Sequence, residues 1–182
     1  MAGYIFEQET NRNIYDEIEA QLVEPLEMQD WERSLQIKNG NLEVSKFPAY
    51  HIWLSTRDMA RLGLLMLRKG KWKEKQVVPQ NWVEEMITQR TSYLEAQKNA
   101  PVLKEDGLDL GYGYMWWLIE NTEDARLKNA YSAQGALGQN ITVYPEIDVV
   151  LAFKTKSDYR RRNSIQTQMN VIRKAVEIYN PN

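Results

Sequence analysis

The stretch Ala130–Thr155, AYSAQGALGQNITVYPEIDVVLAFKT, decides how the chain folds. Gly135 and Gly138 punctuate its entry. Asn140 to Tyr144 has the branched and aromatic residues of a strand, Pro145-Glu146-Ile147-Asp148 is a tight turn, and Val149 to Lys154 is a second strand. Two strands joined by so short a turn pair antiparallel. The second, Val-Val-Leu-Ala-Phe, is nearly continuous in apolar residues, which is expected of a strand covered on both faces. The hairpin therefore belongs in a layered domain with helices packed on it. Glycines just ahead of a buried strand mark either a bend or an edge where a ligand approaches the backbone closely.

Downstream, Ser157 to Asn163 is a polar connection, and Ile165, Met169, Ile172, Val176 and Tyr179 then recur at helical spacing along one face, a docking surface for the sheet. Upstream, Gly111-Tyr-Gly-Tyr-Met-Trp-Trp-Leu-Ile119 reads as one bent strand. A regular strand would point Trp116 and Trp117 to opposite faces. Residues 91 to 108 are polar and without period, hence a long loop. Pro79 opens a helix carrying Trp82, Val83, Met86 and Ile87. Ser55-Thr-Arg-Asp58 is a helix start in which Ser55 caps and Asp58 reaches back to complete a capping box. On the helix that follows, Gly63 lies among Met59, Leu62, Met66 and Leu67, where it permits close packing on another backbone, and Gly70 is a C-cap. Ile14, Ile18 and Leu22 form an earlier helix that Pro25 stops. The region from Pro25 to Pro48 is irregular.

Apolar residues make up 43% of the chain and charged residues 26%, an ordinary globular composition. A net charge of -2 supplies no field for nucleic acid or for an acidic membrane surface. No apolar run is long enough to span a bilayer, and the N-terminal residues lack the basic and apolar regions of a signal peptide. With no cysteine, disulfides, thiol catalysis and thiolate metal sites are excluded. Glu84-Glu85 and the pair Asp106/Asp109 have no histidine companion and read as solvated faces, so no metal or other cofactor is expected. His51, the single histidine, has no visible partner and reads as a structural or surface histidine.

Three segments in this order, Leu54-Ser-Thr-Arg-Asp-Met-Ala-Arg-Leu-Gly63, Gly111-Tyr-Gly-Tyr-Met-Trp-Trp117, and Ser132-Ala-Gln-Gly-Ala-Leu-Gly-Gln139 running into Val143-Tyr-Pro-Glu146, resemble the C-terminal part of the serine beta-lactamase-like superfamily. That group includes class C beta-lactamases, penicillin-binding D-alanyl-D-alanine carboxypeptidases, esterases and 6-aminohexanoate-dimer hydrolases. Pro25-Leu-Glu-Met28 is similar to its proline-leucine-glycine-methionine turn, with Glu27 in place of glycine. The resemblance runs from about Gly3 to Tyr179.

It implies an α+β fold in which helices flank an antiparallel sheet, here incomplete, without the first strands and the nucleophile helix. Residues 1–50 would be the remnant of a helical lobe and loop. Residues 51–182 would supply the helices, C-terminal strands and last helix of the α/β domain. The family's chemistry uses Ser-x-x-Lys for nucleophile and base. None of the seven serines, at 34, 45, 55, 92, 132, 157 and 164, has a lysine three residues on, and no Tyr-x-Asn or Ser-x-Asn follows either. No catalytic residue is therefore assigned. Where the family has its pocket-lining Lys-Thr-Gly or His-Thr-Gly strand, this chain has Ser132, Ala133, Gln134 and Gly135, the candidate substrate-binding residues by resemblance.

The resemblance thus implies part of a bacterial-type serine hydrolase of amide or ester bonds, inactive alone. Its partner would be the missing N-terminal half or a second copy, with a small molecule or peptide as ligand. The alternative is a non-catalytic binding or oligomerisation module on the same scaffold. Full-length relatives are often periplasmic or secreted, and the compartment is left open.

Overall fold

The computed structural model describes residues 1–41, 43–99, 108–135, 138–155 and 165–179. The chain divides into two compact units, Met1–Arg61 and Leu62–Asn182.

In the first unit, helix α1 (Ala2–Thr10) ends on Asn11 in the left-handed conformation. Helix α2 (Ile14–Ile18) is capped by Asn13, whose side chain accepts from Tyr15 N–H, and it runs on into a π-helical turn over Glu19–Val23. Leu26 and Tyr15 are fully buried there. The region read as irregular contains a short antiparallel ribbon, β1 (Lys38–Asn39) against β2 (Ala49–Tyr50). Two-residue strands leave no alternation to read, which is why the pattern missed them.

Helix α3 (Thr56–Leu67) starts where expected, and Asp58 N–H donates to Ser55 Oγ at 3.0 Å. The reciprocal half of the capping box does not form. The fully buried Asp58 carboxylate instead accepts from the backbone N–H groups of Gln29 and Asp30, both at 3.1 Å, and from Arg61 at 2.9 Å. A buried carboxylate needs several donors, and these outcompete a single cap N–H.

The second unit is built on a five-stranded antiparallel sheet. Its order follows the chain: β5 (Asp109–Tyr112), β6 (Trp117–Glu120), β7 (Tyr131–Gln134), β8 (Asn140–Tyr144) and β9 (Val149–Phe153). The ribbon β3 (Lys71–Trp72) with β4 (Lys75–Gln76) and helix α4 (Gln80–Met86) precede it. Two expectations are corrected. The segment Gly111–Ile119 is not one bent strand but the hairpin β5–β6, closed by a turn over Gly113–Trp116. The long loop at 91 to 108 holds a helix, α5 (Tyr93–Asn99), which buries Ala96 against Leu108 and Leu110.

The hairpin over Asn140–Phe153 forms as read, but the roles of its strands differ from the reading. β8 is buried at every residue, whereas β9, the apolar run, is half-buried throughout because it is the last strand of the sheet.

Alternation sorts the sheet into two faces. Leu110, Ile119, Tyr144 and Ala130 face helix α6 (Ile165–Ile178), whose Met169, Ile172 and Val176 are buried at 0 to 1% exposure. Each such side chain is worth about 1.5–3 kcal/mol. Tyr144 Oη donates to Ile172 O at 2.9 Å, which satisfies the phenol inside this layer. Burial holds the Tyr131 and Tyr144 phenols well above the usual tyrosine range, opposed at Tyr144 by a hydrogen bond with Thr142.

The opposite face carries Ile141 and Val150. A side-chain carbon at Gly63 of α3 would lie 2.8 Å from Ile141 Cγ2 and would collide with Val150. Only glycine lets α3 approach this closely. Gly70, at φ 82°, donates its N–H to Leu65 O at 2.8 Å and ends the helix as expected.

Candidate functional site

Strand β7 lies in the middle of the sheet, paired with β6 on one side and β8 on the other. Ser132 is paired with Trp117 and Thr142, Ala133 with Ile141 and Gln134 with Asn140. Ser132 is fully buried. Its hydroxyl lies 2.9 Å from that of Thr142, so the two oxygens satisfy each other in an apolar layer. This is a structural hydroxyl pair, with no base hydrogen-bonded to it among the described residues. Ala133, Gln134 and Gly135 are half-buried and run toward the glycine turn. There Gly135 N–H donates to Gln139 O at 2.8 Å and Gly138 N–H to Gly135 O at 3.0 Å, with Gly138 at φ 89°. Of the two roles open to these glycines, Gly138 fills that of the turn.

In an antiparallel ladder, successive residues aim their amides at alternate neighbours. Gly135 bonds toward β8, while Ala130 O, of opposite parity, accepts from Ile119 on the β6 side. Gln134 shares the parity of Ala130, so its N–H points to the β6 side. Yet β6 begins at Trp117, opposite Ser132. The Gln134 N–H therefore projects past the end of its neighbour, where the ladder offers no acceptor. A backbone donor fixed in this way is suited to take a carbonyl oxygen, and more so an oxyanion.

Other polar groups on the same face were not singled out in the sequence. Asn140 is 1% exposed with neither amide atom hydrogen-bonded, Gln134 Nε2 is buried without a partner, and Gln168 of α6 is 4% exposed with Oε1 unpaired. The signal available was alternation, since Gln134, Asn140 and Thr142 are polar at positions whose strand neighbours are apolar.

At the outer edge, Glu120 Oε1 occupies the space where a side chain on Gly111 would stand, and it too is buried and unpaired. Burial raises the Glu120 carboxyl above its ordinary value, Asp109 across the ladder adds to this, and a hydrogen bond from Tyr93 N–H opposes it.

The remaining candidates separate from this site. Ser34 and Ser45 are exposed, and Ser55 and Ser92 accept from backbone N–H groups at helix starts. Ser157 and Ser164 lie outside the described residues. His51 is exposed. Asp109 accepts from Gln97 and Asn121, both at 3.3 Å, and Asp106 is outside the described residues. Among the described residues, no three His, Asp or Glu side chains come together as a metal site. Nor is any helix long and apolar enough to cross a membrane. A cavity of about 250 Å³ beside the C-terminal half of α6 involves no residue of β7. On its wall, Arg126 is engaged by Asp124 and by Val176 O.

No family model and no curated protein matches the chain. Solved structures do. A protein of Bacillus anthracis assigned as a 6-aminohexanoate-dimer hydrolase superposes with a TM-score of 0.59 at 18% identity, over 98% of this chain and 42% of its own. Unliganded simvastatin synthase (LovD) of Aspergillus terreus gives 0.61 at 12% identity, over 98% of this chain and 53% of that one. Its LovD6 mutant gives 0.60 at 13%, over 98% and 54%. The chain spans about half the length of these structures. Over that span it has the fold of the β-lactamase/transpeptidase-like serine hydrolases.

Proposed function

We propose that this chain is the C-terminal part of a serine hydrolase that cleaves an amide or ester through an acyl-enzyme. In this reading, the half-buried end of β7 from Ala133 to Gly135 lines the substrate pocket, with the buried Ser132 anchoring it from within, and the nucleophile comes from polypeptide outside the chain. The carrying observation is the Gln134 N–H, held on a rigid central strand and aimed past the end of β6. When a serine oxygen adds to the carbonyl carbon, the carbonyl oxygen gains negative charge. A preplaced N–H stabilises that charge without reorganising. The strand works through its backbone, so the absence of a Lys-Thr-Gly sequence does not remove this function. The buried, paired Ser132 supports a supporting role for the strand, because a nucleophile must be exposed and beside a base. The chain alone is therefore inactive.

The test is a titration of the isotope-labelled chain with butyramide, followed on backbone amide signals. The largest saturable shifts are expected at Gln134 and Gly135. Shifts centred elsewhere, or none up to the solubility limit, would contradict the reading.

A further inference from the structure

At the turn of the β5–β6 hairpin, large apolar side chains stand in water. Met115 is 76% exposed and Tyr114 43%, and Trp82 of α4 beside them is 49% exposed. Clustered exposure of this kind marks an interaction site more often than isolated exposure does. The backbone holds the residues there firmly. Tyr114 N–H donates to Met86 O and Gly113 N–H to Trp116 O, both at 2.8 Å, and a side chain on Gly113 would run into Met86 O. Met115 sits at φ 66°, a left-handed conformation that costs free energy and is kept only because its surroundings impose it. The rings of Trp82 and Tyr114 lie 6.1 Å apart, tilted by 35°, and the Arg90 guanidinium stands 5.0 Å from the Tyr114 centroid.

The register places this group. Trp117 pairs with Ser132, so the residues before Trp117 extend in the same direction as the residues after Ser132. The turn thus lies at the end of the sheet where the Gln134 N–H projects. A fixed donor and an apolar shelf thus lie at the same end of the sheet, the arrangement that a carbonyl and its acyl chain require. The shelf is only three side chains wide, and the Arg90–Glu85 ion pair adjoins it on the α4 side. It suits one ring or a short alkyl chain, and falls far short of the roughly 800 Å² per partner of a stable protein interface.

We infer that Trp82, Tyr114 and Met115 bind the apolar acyl or aromatic group of a small amide or ester whose carbonyl oxygen is taken by the Gln134 N–H. This rests on the reading of β7 as the pocket strand. It adds the substrate class, an apolar acyl donor.

The test compares 4-phenylbutyramide with butyramide on the chain carrying labelled methionine methyls, with the Met115 methyl and the Gln134 and Gly135 amides as separate reporters. The phenyl compound should move the Met115 methyl saturably and bind about three- to tenfold more tightly than butyramide. Trp82→Ala should erase that margin. Met115→Gly relieves the left-handed strain, so it should melt no lower than the parent and still lose the margin. Equal affinity of the two amides, or an unmoved Met115 methyl, overturns the inference; shifts at Gln134 and Gly135 would then leave the pocket reading standing. A response at Met115 with none at β7 overturns both, as does no response anywhere. Met115 signals that move on dilution without ligand overturn it in favour of self-association.

Discussion

Two residues show how local energetics here follow from position. Glu27 stands where the resembling turn has glycine, and its φ is 53°, a conformation that glycine enters freely and other residues at a cost. Asn140 has a different difficulty. Its amide is buried with neither atom paired, which costs on the order of 1–3 kcal/mol for such groups. Asn140→Val keeps the strand and removes the amide, so it should raise stability by about 1–2 kcal/mol in denaturant melts. A loss of similar size would contradict the unpaired assignment.

Glu120 gives a pH signature. Burial raises its carboxyl, so the folded chain holds that proton more tightly than the unfolded chain does. Its contribution is then fully present below the ordinary carboxylate value of 4.5 and is lost as pH rises through the raised folded value. Glu120→Gln keeps the acceptor for Tyr93 N–H without the charge. It should melt a few degrees higher than the parent at pH 7 and no differently near pH 3. A pH-independent difference would refute the burial argument.

Among the elements, α3 is the most sharply determined. Its start at Ser55 and its apolar stripe were legible because each depends on residues within one or two turns of each other, and Gly63 within that stripe signalled a close approach without naming the partners, Ile141 and Val150. Gly63→Ala should cost about 1–3 kcal/mol by overpacking against Ile141 and Val150, despite alanine's higher helix propensity. An increase in stability would mean that α3 and the sheet are less closely packed.

The β8–β9 hairpin and the Met169, Ile172 and Val176 positions of the α6 stripe were legible from local spacing, whereas Tyr179 stands past the end of the helix and is exposed. The β5–β6 turn was not legible. Gly113–Trp116 reverses the chain through a positive φ at methionine, which no turn rule anticipates, so two four-residue strands passed for one. Helix α5 was hidden by its seven-residue length and its mostly polar surface. Of the candidate site, the position of β7 was readable. The projecting Gln134 N–H was not, because it depends on where a neighbouring strand stops.

At the scale of the whole chain, the second unit is a five-stranded sheet with α6 on one face and the Gly63 turn of α3 on the other. The chain matches about half of each solved structure that shares the fold. The half-buried β9 has no further strand beside it in this sheet. An edge of this kind is suited to pairing with additional strands. In the proposed account, the chain supplies the substrate-holding strand and a segment outside it supplies the nucleophile.

The central claim is that no serine of this chain is the nucleophile, and the most direct measurement is intact-protein mass spectrometry after exposure to a fluorophosphonate or a penicillin. The account predicts an unchanged mass for the folded chain. Stoichiometric acylation or phosphonylation of any one of the seven serines, Ser132 above all, would contradict it.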